Sequence, residues 1–148
     1  MISTVLYSSK SDEWSTPDDF FRMLDSEFHF NLDPCATPEN HKCEKYYTKE
    51  QNGLTKPWGG LNVFCNPPYS QVGKWVQKAW EECRNENTVV VLLIPSRTDT
   101  KYFHDYIWHR SEIRFVNKRL KFGNSKNPAP FPSMVVIFRG PKVRSNIK

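Results

Sequence analysis

The chain has no apolar run long enough to cross a bilayer. Its longest, Val89 to Ile94, falls far short of the ~20 residues a spanning helix needs. No basic stretch followed by an apolar one opens the sequence, so no signal peptide is expected from Met1-Ile2-Ser3-Thr4. The four cysteines, Cys35, Cys43, Cys65 and Cys83, never fall in CxxC spacing, which argues against a disulfide scaffold or redox motif and for reduced thiols in the cytoplasm. His41 and Cys43 have no second pair to complete a metal site, so none is expected. Internal repeats and low-complexity blocks are missing too. So is acidic charge after Glu112: Arg114 to Lys148 holds nine basic residues and no acidic one.

What is present points to one α/β domain. At 148 residues the chain can build one core but not two, with residues 1–11 and 141–148 read as flexible ends. The 14% aromatic content leaves rings available for stacking. Residues 1–113 carry 12 basic and 16 acidic side chains, so the formal charge of +5 comes entirely from the last quarter. That asymmetry suggests a polyanionic partner. A basic tail that only aids solubility would explain Lys142 to Lys148. It explains Arg114 to Lys126 poorly, because those charges are interleaved with Phe115 and Phe122.

Periodicity places strands near 28–33, 45–48, 61–65, 88–94, 113–116 and 133–138, and helices near 17–27, 72–86 and 100–109. Thr16 can cap the first helix, Pro17 suits its first position, and Asp18 and Asp19 complement its positive end. Trp14 reads equally as a hydrophobic staple ahead of that cap. The 88–94 run is apolar throughout, as in a strand covered on both faces. The last two strands should form an antiparallel hairpin around a long loop, 118–132. A loop of that length usually serves function, and it offers Lys118, Arg119, Lys121 and Phe122 to phosphates and unstacked bases.

Everything is organised around Val63-Phe64-Cys65-Asn66-Pro67-Pro68-Tyr69-Ser70. A buried strand ends abruptly in two prolines, which fix φ and cannot donate to a ladder. This makes a stiff corner at a strand's carboxyl end, the edge where open α/β sheets bind ligands. A nucleobase amine could donate to the Asn66 amide oxygen and to a proline carbonyl while the base stacks on Tyr69. A second strand end, Pro95-Ser96-Arg97, should open onto the same edge. Arg97 could meet phosphate there, or pair with Asp99.

Asn66-Pro67-Pro68-Tyr69 resembles the catalytic motif of amino-group DNA methyltransferases. Further stretches resemble one branch, the short phage-type DNA N-6-adenine methyltransferases of the Dam family: Glu13-Trp14-Ser15-Thr16-Pro17, Leu32-Asp33-Pro34-Cys35-Ala36, Asn52-Gly53-Leu54, Pro95 to Thr100, Arg119 to Gly123 and Ala129 to Ser133. Together they run from about residue 12 to 140. The resemblance implies a compact, trimmed Rossmann-like sheet, mostly parallel with an antiparallel C-terminal hairpin. It implies methyl transfer from S-adenosylmethionine to adenine N6 in double-stranded DNA, in a bacterial or phage-infected cytoplasm. Asn66, Pro67, Pro68 and Tyr69 would hold a flipped adenine. Trp14, Thr16, Asp33, Pro34, Cys35, Leu54 and Asn66 would hold the cofactor, and Arg97, Lys118, Arg119, Lys121 and Phe122 the DNA. The Asp33 turn departs from longer relatives in having no glycine. Cytosine N4 methylation, and a catalytically silent DNA-binding relative, remain alternatives.

Overall fold

The computed structural model describes residues 15–123 and 127–143. Trp14, Lys126, Arg144 and Lys148 therefore lie outside the described residues. Among the described residues, four strands form one sheet: β1 (Asn62–Cys65), β2 (Val89–Pro95), β3 (Glu112–Phe115) and β4 (Ser133–Arg139), in the order β1-β2-β4-β3. The sheet is flanked, among the described residues, by the α-helices α1 (Asp18–Phe28) and α2 (Val72–Glu82), with a π-helical segment at Phe103–Ile107.

β2 is the axis. All seven of its residues are buried, and alternate side chains enter two different cores. Val90, Leu92 and Ile94 pack with Trp75, Val76 and Ala79 of α2 and with Phe103 and Ile107. Val89, Val91 and Leu93 pack with Phe21, Leu24 and Phe28 of α1. The period of two along the strand and the apolar stripes of the two helices thus build three layers.

The expected mostly parallel sheet is not what the pairings give. β1 and β2 are parallel, but β2–β4 and β3–β4 are both antiparallel. β4 lies between β2 and β3 and runs opposite to both, so two of the three ladders are antiparallel. The hairpin expected of the last two strands is present as β3–β4. The strands expected at 28–33 and 45–48 are reduced to single parallel bridges, Leu32 to Val63 and Asp33 to Tyr46. Pro34 has no N–H to extend the first. At its other end the Asn31 side chain, not its main chain, accepts from Asn62 N at 2.8 Å.

The expected helix at 100–109 widens into the π-helical stretch, where Trp108 N reaches back five residues to Phe103 O at 2.8 Å. The start of α1 also differs from expectation. Pro17 stands at the cap position with no side-chain cap, because the Thr16 hydroxyl is engaged elsewhere.

Candidate active site

The carboxyl end of β1 runs directly into Asn66. Pro67 is buried and Pro68 half-buried in extended conformation. The Pro68 carbonyl accepts from Gln71 N at 3.0 Å. That bond closes the short 3₁₀ turn Tyr69–Gln71 leading into α2. Of the two proline carbonyls, Pro68's is thus engaged in holding the corner. The Asn66 amide is braced from the other side: its Nδ2 donates to Thr16 Oγ1 at 2.9 Å, and Thr16 is buried. Tyr69 sets its ring edge-on against Phe131, centroids 4.8 Å apart, and burial pushes its phenol well above the ordinary tyrosine range.

Asp33 stands at the end of the neighbouring bridge. Its main chain is fixed on both sides, Asp33 N to Lys45 O and Tyr47 N to Asp33 O, each 3.0 Å. Its carboxylate is buried, and Oδ2 accepts from Lys42 N at 2.9 Å while Oδ1 takes a longer bond from Cys35 N at 3.4 Å. Burial raises its pKa; those two backbone donors pull the other way without winning. A buried carboxylate in that condition favours a cation beside it.

The turn at Asn52-Gly53-Leu54 presses on this corner. Asn52 adopts a left-handed φ of 57° and accepts from Leu54 N with its own side chain. Gly53 is required by contact: a Cβ there would sit 2.1 Å from the Pro34 carbonyl oxygen. Trp58 locks the turn from below, its indole nitrogen donating to Gly53 O at 3.0 Å.

Between these elements lies an open cleft of about 780 Å³, within the range of small-molecule sites. Thr16, Asp33, Pro34, Cys35, Asn66 and Pro68 all line it. Segments 17 to 50 residues apart in sequence therefore meet at one sheet edge. Pro67, Tyr69 and Leu54 flank the cleft without lining it; Leu54 packs against the core instead. Ser15, Asn52, Gly53 and Trp75 line it as well, although helix 72–86 carries no chemistry on its sequence. Trp75 reads as one more apolar stripe residue, so no local signal separates it from Val76. The cleft suits a ligand of amphipathic, cationic character: one buried carboxylate, backbone polar groups at two turns, and an indole wall.

The basic residues sort into two groups. Arg114 forms two bonds to Glu27 at 2.6 and 2.7 Å and one to Glu112 at 2.5 Å; Arg139 reaches Glu112 at 2.6 Å, and Lys142 meets Glu86 at 3.0 Å. Arg114 and Arg139 thus tie parts of the fold together, while the Lys142 pair lies at the surface. Lys118, Arg119 and Lys121 are exposed, as is Arg97, and make no ion pair among the described residues. Phe122 departs from its expected role as a stacking surface. It is 3% exposed and packs with Ala129 and Phe131, so it anchors the loop whose other side presents the charges.

A proline-locked asparagine at a strand's carboxyl end thus stands beside a cleft that holds a buried acid. The chain belongs to the DNA N-6-adenine-methyltransferase (Dam) family, whose sequence model matches residues 3–146. It is 33% identical over 138 residues to the DNA N-6-adenine-methyltransferase of Haemophilus phage HP1, covering 88% of this chain and 80% of that protein. It is 35% identical over 111 residues to the protein of the same name from Escherichia phage T1, covering 74% of this chain but 46% of the T1 protein. A shorter match, 38% over 65 residues, covers 39% of this chain and 71% of the putative methyltransferase YfdM of Escherichia coli.

Proposed function

We propose that this chain methylates the N6 amine of adenine in double-stranded DNA, using S-adenosylmethionine bound in the cleft between Asp33 and Asn66. When bound, the cofactor supplies an electrophilic methyl group. The observation that carries the reading is the meeting of the Asn66-Pro67-Pro68-Tyr69 corner and the Asp33-Pro34-Cys35 corner on one ligand-sized cleft. We read the sheet as a trimmed Rossmann-like one with its ligand at the carboxyl edge.

The chain's own residues do the following. Asp33 neutralises a cationic end of the cofactor, and Asn52-Gly53 approaches it through backbone. Asn66 Oδ1 and the Pro67 carbonyl each accept one hydrogen of the amine. This turns the nitrogen lone pair outward, and Tyr69 lies along the base. A base inside a duplex cannot reach this corner, so the adenine is flipped. Most of the rate gain then comes from positioning and from stabilising positive charge that develops on nitrogen. Lys118, Arg119, Lys121 and Arg97 hold the phosphates.

The test is mass spectrometry of nucleosides from DNA incubated with the protein and S-adenosylmethionine. N6-methyladenine is expected. N4-methylcytosine, or no modified base, would overturn the reading. Asn66→Ala is expected to abolish the product while leaving cofactor binding, read by calorimetry, largely intact.

A further inference from the structure

Two consecutive residues hold three parts of the site. The Ser15 carbonyl accepts from Gly123 N at 2.8 Å, at the turn that closes the basic stretch. The Ser15 hydroxyl accepts from Asn40 Nδ2 at 2.5 Å, on the rim of the cleft. The Thr16 hydroxyl accepts from Asn66 Nδ2 at 2.9 Å. Immediately after them, Pro17 O accepts from Phe21 N at 3.0 Å and commits the strap to α1. Thr16 is 4% exposed, so the hydroxyl that holds the amide is shielded from competing water.

An amide has two ends of opposite hydrogen-bonding sense and nearly the same shape. An asparagine that must accept from an amine works in only one of its two orientations. We infer that Thr16 is a positioning residue. With the Thr16 hydroxyl accepting from Nδ2, the carbonyl is the end of Asn66 left for the substrate, an arrangement that favours a base carrying an amine over one carrying a keto oxygen. The strap also fixes that orientation relative to the basic turn, because Gly123 hangs from the adjacent carbonyl. This role rests on the reading of the Asn66 corner given above and goes beyond it: it makes Thr16 a specificity determinant rather than a cofactor ligand.

The experiment uses the full chain, Thr16→Val and Thr16→Ser, and duplexes identical except for adenine or hypoxanthine at the target position. Hypoxanthine replaces the amine with a keto oxygen. With S-adenosylhomocysteine present, wild type is expected to bind the adenine duplex about tenfold more tightly, the worth of one well-made hydrogen bond. Thr16→Val should lose most of that preference, and lose about 10- to 100-fold in kcat with KM for the cofactor within about threefold. Thr16→Ser should restore both. If Thr16→Val keeps the preference and kcat but loses cofactor affinity, Thr16 is a cofactor ligand and the positioning role is wrong.

A measurement on wild type stands apart from folding of the variants. The Asn66 side-chain amide protons, assigned by their loss in Asn66→Ala, should exchange with solvent far more slowly than those of an exposed asparagine such as Asn85. Equal exchange rates would overturn the inference. A wild type that methylates no adenine at all would instead overturn the proposed function, a separate failure.

Discussion

Arg114 grips Glu27 through two parallel bonds of 2.6 and 2.7 Å, although 87 residues separate them. The pair ties α1 to the edge strand β3. Glu112 sits beside it and accepts from both Arg114 and Arg139. A run of positive charge that looks uniform in sequence is therefore divided between cations paired within the fold and cations free to meet a ligand.

Charge removal should separate these two duties. Replacing Lys118, Arg119 and Lys121 together with Gln should lower the slope of log K against log salt for DNA by about 3, near 0.9 per lost phosphate contact. Their melting temperature should stay close to wild type. Arg114→Gln should do the reverse: a stability loss of about 1–2 kcal/mol with the salt slope unchanged. The figure is below that of a fully buried pair, because 35% of the Arg114 side chain is exposed and solvent screens it. Filter binding across a salt series and denaturant melts would check both.

Glu112 gives an acid limb to stability. Burial pushes its carboxyl up, but the bonds from Arg139 and Arg114 together outweigh this and leave it below its ordinary value of 4.5. A carboxyl depressed on folding stabilises the native state above its unfolded pKa, and that stabilisation is lost as pH falls through the folded value. Wild type should therefore lose stability below about pH 4.5 more steeply than Glu112→Gln. Melting curves between pH 3 and 6 would show the two profiles converging at the acid end.

Gly53→Ala should damage the cleft without touching a catalytic group. Its Cβ would lie 2.1 Å from the Pro34 carbonyl oxygen, so either the turn or the Asp33 corner must retreat. The expected loss is about tenfold or more in affinity for S-adenosylhomocysteine, with about 1–3 kcal/mol of stability. Calorimetry and melting would read each. Unchanged affinity would mean that this turn does not border the cofactor.

Phe122→Ala should behave as a core truncation. At 3% exposure among Ala129 and Phe131, the ring is expected to contribute about 3–4 kcal/mol. A residue that merely stacked on DNA from the surface would change stability by less than about 0.5 kcal/mol. Denaturant unfolding in the absence of DNA distinguishes the two.

Local chemistry was enough to find several features from sequence. Two prolines after Cys65 can end a strand in only one way, so the Asn66 corner follows from the residues themselves. The apolar run at Val89 to Ile94 requires cover on both faces, and it has it. The stripes Phe21, Leu24, Phe28 and Trp75, Val76, Ala79 fix two helix faces through their 3.6-residue spacing. Helix ends were less legible: Thr16 has every local property of a cap, yet a partner 50 residues away takes its hydroxyl.

What the sequence determined by itself was which segments are extended, helical or bent, because those follow from interactions a few residues apart. Only the tertiary structure decided how they meet. It set β4 between β2 and β3, reduced two expected strands to single bridges, buried Phe122, brought Trp75 to the cleft wall, and paired Arg114 with Glu27. Each of these depends on which distant surface offers a partner. A side chain's propensity carries no record of that partner, so no local pattern could have supplied it.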